Sequence, residues 1–175
     1  DYKILQNKKK KNIIETSFKK NKKKYNFKCS LFADYEIDNL LCAILLANLN
    51  GIAIKDILNN IKTITRPQGR LNKIKVKNEC FSVFIDYAHT PEALQNSLLA
   101  LKSKLSKTGK LFLLFGCGGE RDKGKRKIMG KIASKLADKV FITDDNPRYE
   151  CPKSIRKEIA SNYKNFLNIA GRKKA

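Results

Sequence analysis

Arg121 and Arg148 each stand just past an apolar run, inside a short segment dense in charge and turn-forming residues. The first follows Leu111-Phe112-Leu113-Leu114-Phe115 and a glycine-rich stretch. The second closes Phe141-Ile142-Thr143-Asp144-Asp145-Asn146-Pro147-Arg148. If both runs are strands of one open α/β sheet, the two loops leave its carboxyl ends, where such sheets place their ligands. Two planar guanidinium forks facing one crevice suit a small molecule that bears carboxylates. Pro147 stiffens the second turn and holds Arg148 at a fixed offset. Gly116-Cys117-Gly118-Gly119 lets the backbone bend tightly and come close to a ligand. It is neither a GxxxxGK[ST] phosphate loop nor a GxGxxG dinucleotide fingerprint. Cys117 has no histidine near it in sequence, so it does not read as a catalytic thiol.

Between Glu120 and Arg126 nearly every residue is charged, and Lys123 and Lys125 read as solvated. A third segment, Asp86-Tyr87-Ala88-His89-Thr90-Pro91, stands where a strand gives way to a helix. His89 is the chain's sole histidine. A purely structural role is open to it. Its place beside an aspartate, just before a helix N-terminus, is one that favours anions and nucleotides.

The elements that must carry these loops can be read from periodicity. Residues 1–30 are polar and lysine-rich, with short alternations such as Asn12 to Thr16, and read as exposed strands or hairpins. Asp38 is placed to cap an almost wholly apolar helix, Asn39 to Asn50, which should be buried on most sides. A shorter helix follows, roughly Ile54 to Ile61, and Thr65-Arg66-Pro67-Gln68-Gly69 looks like an interdomain linker. Leu71 to Val76 and Phe81 to Asp86 resemble an antiparallel pair. Pro91 opens a helix striped by Leu94, Leu98, Leu101 and Leu105. After it come a strand at Lys110 to Phe115, a helix striped by Ile128, Ile132 and Leu136, and a strand at Lys139 to Thr143. A helix from Pro152 striped by Ile155 and Ile159, and a last strand at Phe166 to Ile169, complete the set. Strands alternating with helices mean an α/β fold with a mostly parallel, doubly wound sheet.

Composition narrows the functional classes. The formal charge is +22, but the lysines are spread along the chain with much asparagine and isoleucine. The dense runs Lys8 to Lys11 and Lys19 to Lys24 lack interleaved aromatics, so a solvated lysine-rich face is expected rather than a nucleic-acid site. No apolar stretch reaches membrane-spanning length, so no membrane partner is expected. Five scattered cysteines form no zinc-type pairs and suit reduced thiols in a cytoplasmic protein. The only methionine is Met129, and the chain is expected to be a piece of a longer protein.

Taken in order, Asp86 to Pro91 (DYAHTP), Phe115 to Arg126 (FGCGGERDKGKR) and Asp144 to Arg148 (DDNPR) resemble the Mur ligases of peptidoglycan synthesis, and within them the diaminopimelate-adding branch. Gly69-Arg70 matches that family's GR linker element, and Asn39 matches an asparagine that opens a helix late in its central domain. The resemblance runs from about Leu31 to Ala175. It implies residues 1–67 as the end of a central ATP-binding domain and 68–175 as an incomplete, Rossmann-like C-terminal domain.

The resemblance also implies an ATP-dependent amide ligase. ATP phosphorylates the γ-carboxylate of D-glutamate in UDP-N-acetylmuramoyl-L-Ala-D-Glu, and the amine of meso-diaminopimelate then attacks the acyl phosphate. Arg121, Asp145, Asn146, Pro147 and Arg148 match the family's diaminopimelate-binding positions, the arginines pairing with carboxylates and the acceptors with an ammonium. Arg148 argues against the lysine-adding relatives, which lack an arginine there. Asn39, Arg70, Asp86 and His89 match positions on the nucleotide side. The family's phosphate loop, magnesium ligands and carbamylated lysine would precede Asp1, so no catalytic residue is assigned here and the chain alone is expected to be an inactive monomer. Departures from the family pattern fall at Ala33, Glu36, Asn72 and Gly171. The rival readings are a lysine-adding or tripeptide-recycling Mur ligase, a basic nucleic-acid-binding module, and an inactive fragment.

Overall fold

A computed structural model describes residues 2–10, 13–29, 33, 35–65, 67–77, 80–161 and 163–175. The chain packs as two units, Asp1–Ile85 and Asp86–Ala175. The expected linker at 65–69 includes Arg66, which lies outside the described residues.

In the first unit, β1 (Tyr2–Lys10), β2 (Ile13–Lys20) and β3 (Lys23–Cys29) form an antiparallel sheet in that order. The expectation of exposed strands is only half right. Alternate residues of β2, Ile14, Thr16 and Phe18, are fully buried, because a strand sends successive side chains to opposite faces and these three fill the one turned to the core. Phe18 stacks on Tyr25 at 5.4 Å between centroids and meets Phe27 edge-on at 6.2 Å. This face packs with Ile37, Leu41 and Ile44 of α1 (Tyr35–Leu49) and with Ile54 of α2 (Ile54–Asn59). A 3-10 turn, Ile61–Thr63, adds Ile61 to the same core.

Helix α1 departs from its sequence reading twice. It starts at Tyr35, so Asp38 lies in the first turn and not at the cap, where its charge still suits the helix dipole. Only one stripe is buried, since Leu46 and Leu49 are 60% and 74% exposed. The helix is apolar nearly all round, but the single sheet offers it one face to pack on. The pair β4 (Asn72–Ile74) and β5 (Val83–Ile85) is antiparallel as expected.

The second unit positions the loops. Helix α3 (Pro91–Lys102) starts with Pro91 in its first turn and is capped by Thr90, whose hydroxyl accepts the Ala93 N–H at 3.2 Å. Strand β6 (Phe112–Phe115), helix α4 (Gly124–Leu136), strand β7 (Lys139–Ile142), helix α5 (Pro152–Ala160) and strand β8 (Phe166–Asn168) follow. The sheet β6-β7-β8 is parallel throughout. Leu94 and Leu98 of α3, Met129 and Ala133 of α4, and Ile155 and Ile159 of α5 share one core with Val140 and Ile142.

All three helices therefore lie on one face, whereas a doubly wound sheet has helices on both. The other face carries the cross-strand row Leu114, Phe141, Leu167, with Phe112 set edge-on to Phe141 at 6.4 Å. Helix α4 keeps only part of its expected stripe, since Ile132 and Leu136 pack half-buried against the core. Ile128 is 52% exposed, and the buried face runs through Met129, Gly130 and Ala133. The reason is steric. A Cβ on Gly130 would lie 2.1 Å from the Ile159 carbonyl oxygen, so α4 and α5 touch backbone to backbone along the small residues. Gly130→Ala should therefore lower the free energy of unfolding by about 1–3 kcal/mol, measurable as a lower urea midpoint with an unchanged slope.

Candidate functional site

The two arginine-bearing loops leave adjacent parallel strands, and the glycines let them touch. The Phe115 carbonyl accepts the Thr143 N–H at 3.1 Å, and the Gly119 N–H donates to the Asn146 carbonyl at 2.8 Å. A Cβ on Gly119 would sit 1.9 Å from the Pro147 carbonyl oxygen, and one on Gly116 would sit 2.5 Å from that of Thr143. The glycine stretch thus makes room for the neighbouring loop. Arg148 closes the contact by donating from Nη1 to the Gly119 carbonyl, while its own N–H donates to Asn146 Oδ1 at 3.2 Å. Arg121 is exposed two residues beyond Gly119 and makes no hydrogen bond or ion pair among the described residues. The structure so places Arg121 and Arg148 on abutting loops at one end of the sheet.

Beneath this surface lies an ion-pair cluster that the sequence reading did not single out. Arg126 is wholly buried. Its Nη1 and Nη2 donate to Glu150 Oε2 and Oε1, both at 2.9 Å, the bidentate geometry that makes such pairs strong. It also donates to Glu158 at 3.0 Å and to the Gly118 carbonyl at 3.2 Å. Only its Nε lacks an acceptor among the described residues. Glu150 accepts in addition the Glu120 N–H. The Arg126 guanidinium, helped by that N–H, holds the Glu150 carboxyl down at about 2, and the two carboxylates hold Arg126 above the usual guanidinium range.

The Asp-Asn-Pro-Arg loop is braced from its other side. Asp144 accepts from buried Arg156 and from the Gly171 N–H at 2.7 Å. Asp145 accepts from Arg172 Nη2 at 2.8 Å. Gly171, read from sequence as a departure from the family pattern, and Arg172 thus join Arg156 in bracing the loop's acids. Cys117 is buried with Sγ 3.9 Å from Met129 Sδ. Burial pushes its thiol up to about 11 against the opposing pull of Lys125 and Arg126, which leaves it protonated and unreactive.

The Asp86–His89 segment joins the glycine loop through Lys125, whose Nζ donates to the His89 carbonyl at 2.9 Å. Lys125 is thus an anchored side chain and not simply a solvated one. Asp86 Oδ2 accepts the Ser97 hydroxyl and Oδ1 the Tyr87 N–H at 2.9 Å. The exposed His89 ring lies 5.1 Å from that of Tyr87, with Nδ1 3.1 Å from the Tyr87 carbonyl. Asn39 and Arg70 belong to the first unit. Asn39 is exposed on α1, and the Arg70 N–H donates to Asn72 Oδ1 at 2.9 Å ahead of β4. Among the described residues no cluster of three or more His, Cys, Asp or Glu could hold a metal ion. No helix among them is long and apolar enough to cross a membrane.

The family model "Mur ligase, glutamate ligase domain" matches residues 69–175, the part that contains all three loops. The chain belongs to the Mur ligase family. It is 42% identical over 161 residues to the UDP-N-acetylmuramoyl-L-alanyl-D-glutamate–2,6-diaminopimelate ligase of Rickettsia conorii, covering 91% of this chain and 33% of that protein. The chain thus spans about a third of the length of the curated relatives it matches. A solved structure of a ligase of the same name matches 99% of this chain and 36% of its own, at a TM-score of 0.57 and 28% identity. The UDP-N-acetylmuramate–alanine ligase MurC of Thermotoga maritima shares the fold at a TM-score of 0.72 and 22% identity, over 97% of this chain and 37% of its own.

The Arg126–Glu150 pair ties part of the fold's stability to pH. A carboxyl held at about 2, against an ordinary 4.5, contributes stability that is full above the ordinary value and fades as pH falls toward the depressed one. The urea midpoint of the wild type minus that of Glu150→Gln should therefore be widest above about pH 5 and shrink steadily below about pH 4.5. A difference that is flat with pH would refute the assignment.

Proposed function

We infer that the chain is part of a cytoplasmic, ATP-dependent ligase that adds meso-diaminopimelate to UDP-N-acetylmuramoyl-L-Ala-D-Glu. Its second unit is the part that holds the amino acid. The observation that carries this reading is the backbone-to-backbone apposition of the two arginine loops, with Arg148 at their junction. A twin-headed amino acid ends in an ammonium and a carboxylate at each side. Arg121 and Arg148 pair with carboxylate, Asp145 and Asn146 accept from ammonium, and Pro147 keeps the turn rigid so that the free amine is aimed. In the reaction the γ-carboxylate of D-glutamate takes the terminal phosphoryl group of ATP, releasing ADP. The amine then bonds to the acyl carbon, the carbon–oxygen bond to phosphate breaks, and the amine gives up a proton.

Residues 1–67 are assigned to the central ATP-binding domain and 68–175 to the C-terminal domain. The start of the family match at residue 69 supports that boundary, while packing divides the chain after Ile85. On the nucleotide side we assign Asn39, Arg70, Asp86 and His89. The exposed His89 ring just before the N-terminus of α3 fits a phosphate, since that helix end attracts anions. Magnesium would be held by residues outside this chain. Neither nucleic acid nor membrane is assigned as a partner, and a monomer is assigned. The arginines of the second unit that make ion pairs, Arg126, Arg156 and Arg172, are directed at the protein's own carboxylates.

A panel of amino acids offered to the full-length protein tests the reading, with diaminopimelate expected to be strongly preferred over lysine. A guanidinium facing an analogue without the second carboxylate is left unpaired. Arg148→Ala should remove a charge-assisted contact of about 1.5–3 kcal/mol. That raises the KM for diaminopimelate about ten- to a hundredfold with the KM for ATP little changed. Preference for lysine by the wild type would favour the lysine-adding alternative.

A further inference from the structure

Two residues outside glycine have left-handed backbone in these loops, Glu120 and Arg148, each at φ +49°. One immediately precedes Arg121 and the other is the second recognition arginine itself. Such conformations are uncommon for side chains of this size and persist only where surrounding contacts over-determine them. Glu150 is the group that does so for both loops. It stands two residues beyond Arg148, and its N–H donates to the Pro147 carbonyl at 3.0 Å. Its carboxylate reaches back thirty residues to the Glu120 N–H. Both of its oxygens are gripped by Arg126, which also holds the Gly118 carbonyl.

We propose that Glu150 is a positioning residue for the amino-acid substrate. Its carboxylate, fixed by buried Arg126, sets the distance and orientation between the Arg121 and Arg148 guanidinium groups. It touches no substrate and acts only through the two loops it ties together. This deepens the function inferred above and rests on it. Glu158 provides the internal comparison, because it binds the same guanidinium from α5 and makes no hydrogen bond or ion pair to either loop among the described residues.

The experiment is steady-state kinetics and thermal unfolding of the full-length protein carrying Glu150→Gln, Glu158→Gln or Arg148→Ala. Glu150→Gln keeps the shape of the side chain and removes its charge. It is expected to raise the KM for diaminopimelate between about ten- and a hundredfold, the effect of misplacing a recognition group by about an ångström. The KM values for ATP and the UDP-sugar dipeptide should stay within about twofold. Glu158→Gln is expected to lower the melting temperature while leaving all three KM values in place. If Glu150→Gln does not fold, Glu150→Asp replaces it, keeping the charge but falling one methylene short of the Glu120 N–H, with the same KM shift expected. Equal KM shifts from the Glu150 and Glu158 variants, or none from the Glu150 variant while Arg148→Ala raises the KM, would overturn this proposal and leave the function standing. No shift from Arg148→Ala would sink the function itself.

Discussion

A buried guanidinium pinned by two carboxylates is the constraint on which the second unit depends. Arg126 sits at zero exposure with Glu150 and Glu158 as partners. An unpaired charge there would be strongly destabilising, whereas the paired one is locked because its planar fork accepts few geometries. That rigidity is passed to the surface by hydrogen bonds and short stretches of chain. Gly118 lies eight residues before Arg126, and its carbonyl accepts from the guanidinium. Glu150 lies two residues after Arg148. The parallel strands set the loops side by side, the glycines let them touch, and the ion pair removes the remaining freedom.

Much of this order was legible in the sequence because local physics agreed with the fold. Pro91 and Pro152 opened helices where they were expected, and the β6, β7 and β8 runs each became a strand within a residue or two. What was not legible was choice among faces. Helix α4 has apolar residues on two stripes, and only the Gly130–Ile159 approach decides that Met129 and Ala133 go inward while Ile128 stays out. The lysine-rich β1–β3 region hid a buried face in the same way, since a few well-spaced residues suffice to fill one side of a strand.

The candidate site was readable as a set of residues but not as a mechanism of support. Arg121 and Arg148 could be named from their place after two apolar runs, and Asp145 and Asn146 from the family resemblance, while the supporting roles of Arg126, Glu150, Arg156 and Arg172 were not singled out. One signal was available. Lysine dominates the basic residues of this chain, and a compositional drift toward lysine removes arginine wherever a simple positive charge will do. The arginines that remain in the second unit all lie around the same two loops. Forked, two-bond pairing is what lysine cannot supply there.

The left-handed backbone at Arg148 has a consequence for how this protein can change over generations. Asparagine and glycine occupy that conformation most comfortably, and a larger side chain sits there at a disadvantage of about 1–2 kcal/mol. Glycine at this one position would ease the backbone. Arginine there carries a conformational cost that the carboxylate contact proposed for it must outweigh.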